Sequence, residues 1–159
     1  MKYFIILYIF LTSSLLAQDL KIKAKTFTAD EKTGISIFKG DVNVINKNDE
    51  LNSTKLTVYT DKNNQPTKFI AEGDAKFKVV TLDGSLYRGK AQKIVYYPNK
   101  KEYQFFNKVH LKQINEKKEI IGEEVVLNTI EGKAYAKGDK SEPVIMIFKM
   151  PDDKKKDIK

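Results

Sequence analysis

The chain has 159 residues, 29 Lys+Arg against 21 Asp+Glu for a formal charge of +8, one histidine, and neither cysteine nor tryptophan. That length suits about one domain. Without cysteine there is no disulfide framework, no cysteine-ligated zinc or iron–sulfur centre and no thiol nucleophile, and any histidine-based metal site or catalytic triad would rest on His110 alone.

The N-terminus differs in composition from everything after it. Lys2 precedes an apolar run from Tyr3 to Leu11, followed by Thr12-Ser13-Ser14-Leu15-Leu16-Ala17. A basic start, a short apolar stretch and a small residue at its end form the pattern of a secretory signal peptide, expected over residues 1–17. The run is shorter than the ~20 apolar residues that span a bilayer. The compartment expected for the rest is outside the cytoplasm.

Beyond Ala17 the chain alternates with a period of two. Leu20-Lys21-Ile22-Lys23 begins the series, followed by Gly40-Asp41-Val42-Asn43-Val44 and Lys55-Leu56-Thr57-Val58-Tyr59. Asp74-Ala75-Lys76-Phe77-Lys78, Lys93-Ile94-Val95-Tyr96 and Lys108-Val109-His110-Leu111-Lys112 continue it. Such alternation predicts strands with one face in a core and one in water. Turn residues separate them at Asp30–Gly34, Asp61–Asn64, Asp83-Gly84, Pro98–Lys100 and Glu131-Gly132. No stretch carries a helical stripe, so the domain over residues 18–149 is expected to be all-β. From Met150 the pattern fails, and residues 150–159 read as a charged, disordered tail.

The strands also repeat. Phe38-Lys39-Gly40-Asp41-Val42 is echoed at Ala71–Ala75, Phe106–Val109 and Ala136–Asp139, with the markers 40, 73, 107 and 138 spaced 33, 34 and 31 residues apart. This period suggests stacked units that bury apolar faces against their neighbours. The marker glycines are expected at sharp strand-to-strand corners that require positive φ or close approach.

Enzyme signatures are missing: no Gly-rich phosphate loop, no HExxH and no GxSxG. Glu123-Glu124 are adjacent on a strand and point to opposite faces. His110 sits between Val109 and Leu111, which claim the inner face, so it is expected outside with Lys108 and Lys112. The chain is therefore not expected to be an enzyme, nor to carry a metal or cofactor. Nucleic acid is disfavoured as a partner, because the lysines are spread along strands and only one arginine, Arg88, is present.

What remains is the inner face. Alternation assigns to it Leu20, Ile22, Ile37, Val42, Val44, Leu56, Val58, Phe69, Phe77, Ile94, Tyr96, Phe105, Val109 and Leu111, with Ile35, Tyr103, Val125 and Leu127. A closed β-sandwich core and an open apolar groove would use these same side chains, and periodicity does not separate the two.

Four motifs carry a family resemblance. Ile37-Phe38-Lys39-Gly40-Asp41-Val42-Asn43-Val44 looks like a recurring F-x-G-N-V-x-V element, and Gly89–Tyr97 is similar to G-x-A-x-x-x-x-Y. Phe105–Gln113 resembles L-x-G-N-A-x-L-x-Q, and Ile121-Gly122-Glu123-Glu124-Val125 resembles I-x-G-D-x-I. In order, and over roughly residues 20–148, they resemble the OstA-like (organic solvent tolerance, N-terminal domain) LptA family of periplasmic lipopolysaccharide-transport bridge proteins. Asn107 stands where that family has glycine, and Asp41 and Asp74 where it has asparagine. Asparagine tolerates positive φ.

The resemblance implies a twisted antiparallel β-jellyroll opening into a V-shaped apolar groove for the acyl chains of lipopolysaccharide. The family's lining positions fall on Leu20, Ile22, Phe77 and Tyr96. Implied partners are lipopolysaccharide, an inner-membrane exporter component, an outer-membrane translocon and further copies stacked head to tail. End strands at Leu20–Ala24 and Val144–Phe148 would supply the edges for that stacking. Two alternatives stay open: a membrane-anchored partner of the same fold, or a closed repeat module that binds protein or glycan on its outer face.

Overall fold

The computed structural model describes residues 20–150; the expected signal segment 1–17 and the tail from 151 onward lie outside the described residues. Ten strands form one antiparallel sheet and no helix is present among the described residues. The six long strands are β3 (Ile35–Asn46), β4 (Asp49–Thr60), β5 (Pro66–Val80), β6 (Leu86–Tyr97), β7 (Glu102–Gln113) and β8 (Lys118–Asn128). They follow one another as a meander. Short strands finish the edges: β1 (Leu20–Lys23) and β2 (Thr26–Asp30) both pair with β3, and β9 (Lys133–Lys137) and β10 (Ile145–Phe148) both pair with β8.

The turns form where side-chain oxygens can take up backbone N–H groups. Asp61 Oδ1 accepts from the N–H of Asn63 (2.8 Å) and Gln65 (2.9 Å). Asp30 Oδ1 accepts from Lys32 N–H at 2.9 Å, and Asn128 Oδ1 from the N–H of Ile130 and Glu131, both at 3.0 Å. Each oxygen satisfies donors that the ladder has left behind.

The marker residues do not lie at corners between strands; they bend single strands in the middle. Ladder register shifts between Lys39 and Val42 on β3, Glu72 and Ala75 on β5, and Phe106 and Val109 on β7. In each bulge two consecutive residues take positive φ: Gly40 and Asp41, Gly73 and Asp74, Asn107 and Lys108. An extra residue in one strand of a pair bends it and increases its twist. Gly73 also leaves no room, since a Cβ there would sit 1.9 Å from Thr54 Oγ1. Asn107 reaches φ 63 without being glycine, as its short amide side chain permits. Gly138 is different: it ends β9, where a Cβ would meet the Glu142 carbonyl oxygen at 2.3 Å.

Because the bulges fall side by side, the whole sheet folds along one ridge into two arms that face each other. Arm A comprises residues 26–39, 55–72, 93–106 and 124–137. Arm B comprises residues 20–23, 42–53, 75–91, 109–122 and 145–148. The core lies between them, with Leu56, Ala75, Phe105, Val109, Val125 and Leu127 fully buried. Phe77 of arm B stacks on Phe105 of arm A with ring centroids 4.3 Å apart. Gly89 makes this possible. It lies opposite Phe77 in the ladder, where a Cβ would come within 2.9 Å of Phe77 Cζ.

Side-chain alternation continues unbroken through the bulges of β3, β5 and β7 and slips by one residue on β4, β6 and β8. On β4 the inward residues are Leu51 and Ser53 on one side of the slip and Leu56 and Val58 on the other. Ile35 and Ile37 are corrected by this geometry. Phe38 faces inward beside Leu56 and Phe27, so Ile35 and Ile37 lie on the outer face of arm A, Ile37 opposite Thr57 and Thr28. The outward placement of His110 agrees with the expectation. Its Nε2 lies 2.8 Å from Glu119 Oε2, and Lys112 Nζ is 3.2 Å from the other oxygen of the same carboxylate. His110, then Lys112, hold Glu119 below the ordinary carboxylate range.

Candidate functional site

The arms meet differently at the two ends of the interior. On the C-terminal side the β5–β6 turn of arm B touches the β8–β9 turn of arm A: Leu82 N–H donates to the Thr129 carbonyl at 3.1 Å. Thr129 N–H in turn donates to the Lys101 carbonyl at 2.9 Å, which closes this end. On the N-terminal side the tips stand apart around a cavity of about 640 Å³. Specific ligand sites commonly enclose about 300–1,000 Å³.

Apolar side chains form its interior: Leu20, Val44, Leu51, Leu56 and Val79, with the rings of Phe69, Phe77, Tyr96 and Tyr103. The rings form a connected wall. Phe69 and Tyr96 lie 6.0 Å apart, Tyr96 and Tyr103 stack at 4.2 Å, and Tyr103 and Phe105 are 6.1 Å apart. Such pairs hold one another in place, giving a rigid apolar surface at low entropic cost. Polar residues surround the mouth, among them Asn46, Asp61, Gln65, Lys78, Asn99 and Lys101.

One polar contact crosses the interior. The Tyr103 hydroxyl of arm A donates to Asp49 Oδ2 of arm B at 3.0 Å, while Val80 N–H donates to Asp49 Oδ1 at 2.9 Å. Burial pushes the Asp49 carboxyl above its ordinary value, against the opposing pull of these two donors and of Lys78 and Lys101. Burial beside Asp49 also pushes the Tyr103 phenol far up, so its proton stays on the oxygen and the hydroxyl remains a donor. The buried side-chain polar atoms all have partners, and no cluster of His, Asp and Glu suited to a metal ion occurs among the described residues.

Residues 21–133 match the family model described as the LptA/(LptD N-terminal domain) LPS transport protein. The chain belongs to this family. Its fold is that of LptH from Pseudomonas aeruginosa, described as the LptA homologous periplasmic component of the conserved lipopolysaccharide transport device. The two superpose with a TM-score of 0.74 at 20% identity, covering 84% of this chain and 96% of LptH. No curated protein sequence matches the chain. The LptA family is a lipopolysaccharide-transport component, a non-enzymatic role. No helix among the described residues is long and apolar enough to cross a membrane.

The LptA-type fold divides fourteen of the inner-face residues expected from sequence into three groups. Leu20, Val44, Leu56, Phe69, Phe77 and Tyr96 line the cavity. Ile22 packs half-buried against the core, and Val42, Val58, Ile94, Phe105, Val109 and Leu111 are buried within it. Ile37 is outside. Alternation missed Leu51 because the slip at Thr54 moves it onto the inner face, and it missed Val79 beside the equally apolar Val80. The polar mouth had no periodic signal at all, being built from turn residues brought together by the fold.

Proposed function

We propose that the open cavity shelters the acyl chains of lipopolysaccharide while the chain carries the lipid through the periplasm between the two membranes. The observation that carries this reading is an apolar, aromatic-walled cavity of about 640 Å³ left open at one end of an otherwise packed LptA-type interior. Each acyl CH₂ removed from water contributes about 0.8 kcal/mol, so several chains cannot cross an aqueous gap uncovered. An open mouth lets the tails leave again without unfolding the protein, and no nucleotide-binding motif is present to drive release. Energy and direction would come from the partners at either membrane.

Copies stacked head to tail would extend the path. β1 and β2 form one edge of the sheet and β9 and β10 the other. Every residue of β10 is exposed, including Ile145, Met146, Ile147 and Phe148. Unpaired strands of this kind can add to the edge of another sheet, and a contact between different edges propagates.

The test is a photo-crosslinking residue at Tyr96, compared with one at outward-facing Asn52. The reading predicts a lipopolysaccharide adduct at 96 that unlabelled lipid competes away, and none at 52. A folded protein that gives no adduct at 96 would make the cavity irrelevant to the lipid.

A further inference from the structure

The outer face of arm B carries a dense array of like charges. Lys76 on β5 lies directly opposite Lys90 on β6, and Lys78 opposite Arg88. On β7, His110 follows opposite Lys90, and Lys112 opposite Arg88. Like charges in directly opposed positions destabilise a strand pair. The carboxylates among them are Glu50 opposite Lys78, Asp74 at the β5 bulge, Glu123, which accepts from Lys108 N–H at 3.4 Å, and Glu119, which is taken up by His110 and Lys112. Among the described residues, Lys76, Lys78, Arg88 and Lys90 form no ion pair. At the ridge, Lys76, Lys90 and Lys108 converge on a shallow hollow of about 400 Å³ whose wall is completed by Asp74, Ala91 and Gln92.

The chemistry of this face selects its counterpart. Aromatic rings and large exposed apolar side chains anchor protein interfaces and stack on unpaired bases. The central array on β5, β6 and β7 holds no Phe, Tyr or Trp, and the large exposed apolar side chains of this face, Ile45, Ile145 and Ile147, lie on the flanking strands β3 and β10. Its cations are mainly lysines, which act on phosphate as mobile point charges. A flat array of point charges around a shallow hollow suits many mobile phosphates held in a plane. We propose that this face docks the protein on an anionic bilayer through lipid headgroup phosphates, one of them seated among Lys76, Lys90 and Lys108. The hollow at Lys76, Lys90 and Lys108 shares no lining residue with the cavity, and Lys78 is the array cation that also borders the mouth. Docking also stands independently of what the cavity carries.

The test is co-sedimentation of the full chain with phosphatidylcholine vesicles, with and without phosphatidylglycerol, in the absence of lipopolysaccharide. The proposal predicts a phosphatidylglycerol-dependent bound fraction that falls as salt screens the charges. Each cation near an anionic surface contributes about five-fold to partitioning, so the double variant Lys76→Gln/Lys90→Gln should lose roughly 25-fold. Lys32→Gln/Lys62→Gln removes the same charge from two turns of arm A and should leave partitioning nearly unchanged. Equal losses in the two double variants would reduce the effect to net charge and overturn the proposal. So would the same binding to vesicles with and without phosphatidylglycerol. Inorganic phosphate that shifts the Gln92 and Lys108 amide resonances, without vesicle binding, would make the hollow a site for a soluble anion and also overturn it.

Discussion

The same six long strands build both ends of the interior, yet one end is sealed and the other open. At the sealed end Val109, Leu111, Val125 and Leu127 are at most 1% exposed, and turns from opposite arms hydrogen-bond at Leu82 and Thr129. At the open end Leu20 is 38% exposed and Leu51 half-buried, and the arms are joined across the cavity by Tyr103 and Asp49. The difference comes from the turns rather than the strands. A tip that reaches its opposite number turns apolar lining into core, and a tip that falls short leaves a cavity. Stability and cargo space are thus separated along one sheet.

The packed core should be where stability is most easily lost. Phe105→Ala removes a fully buried ring that stacks on Phe77 and should cost about 3–5 kcal/mol, read by denaturant unfolding. The bends that bring the arms face to face come next. Gly73→Ala combines φ +85 with a collision against Thr54 and should cost about 1–3 kcal/mol. Gly84→Ala has a similar φ, +83, but open space, and should cost only about 1 kcal/mol. Equal costs at the two glycines would mean that crowding at the ridge contributes nothing.

Leu51→Ala, at the open end, should cost roughly 1 kcal/mol because the side chain is already half in water, while lowering the crosslinking of lipopolysaccharide from Tyr96. The smallest effect concerns the cross-cavity contact. Burial raises Asp49 above its unfolded value, so the folded state holds that proton more tightly. Wild type should therefore gain stability relative to Asp49→Asn as pH falls from neutral through the raised folded value. The gain should be complete below the unfolded value. A pH-independent difference between the two proteins in thermal unfolding would show that Asp49 titrates alike in both states.

Much of this was legible in the sequence, because alternation reports directly which side chains share a face. The strands at Val42–Val44, Leu56–Val58 and Phe69–Phe77 follow from period two, and the turns from Asp and Asn beside Gly. The markers at 40, 73 and 107 fall on the bulges and not at the expected corners between strands, because a local pattern cannot distinguish a turn from a bend inside a strand, since both need positive φ. That ambiguity placed Ile37 on the wrong face: having both Ile37 and Val42 inside would need a slip on β3, and the slip occurs instead on β4 at Thr54, which also concealed Leu51. Whether an apolar lining is core or cavity was not legible, because the answer depends on how close two turns come across the interior. Nor was the cationic face, whose lysines are remote enough in sequence to look like ordinary solvated positions until the register sets them side by side.

Methyl-resolved NMR of the protein titrated with lipopolysaccharide tests the central claim without altering a residue. The account predicts that the methyl resonances of Val44, Leu51 and Val79 shift while those of Val125 and Leu127 stay in place. Shifts concentrated at Val125 and Leu127, or none at the three cavity positions, would contradict the division of this interior into an open end for lipid and a sealed end for stability.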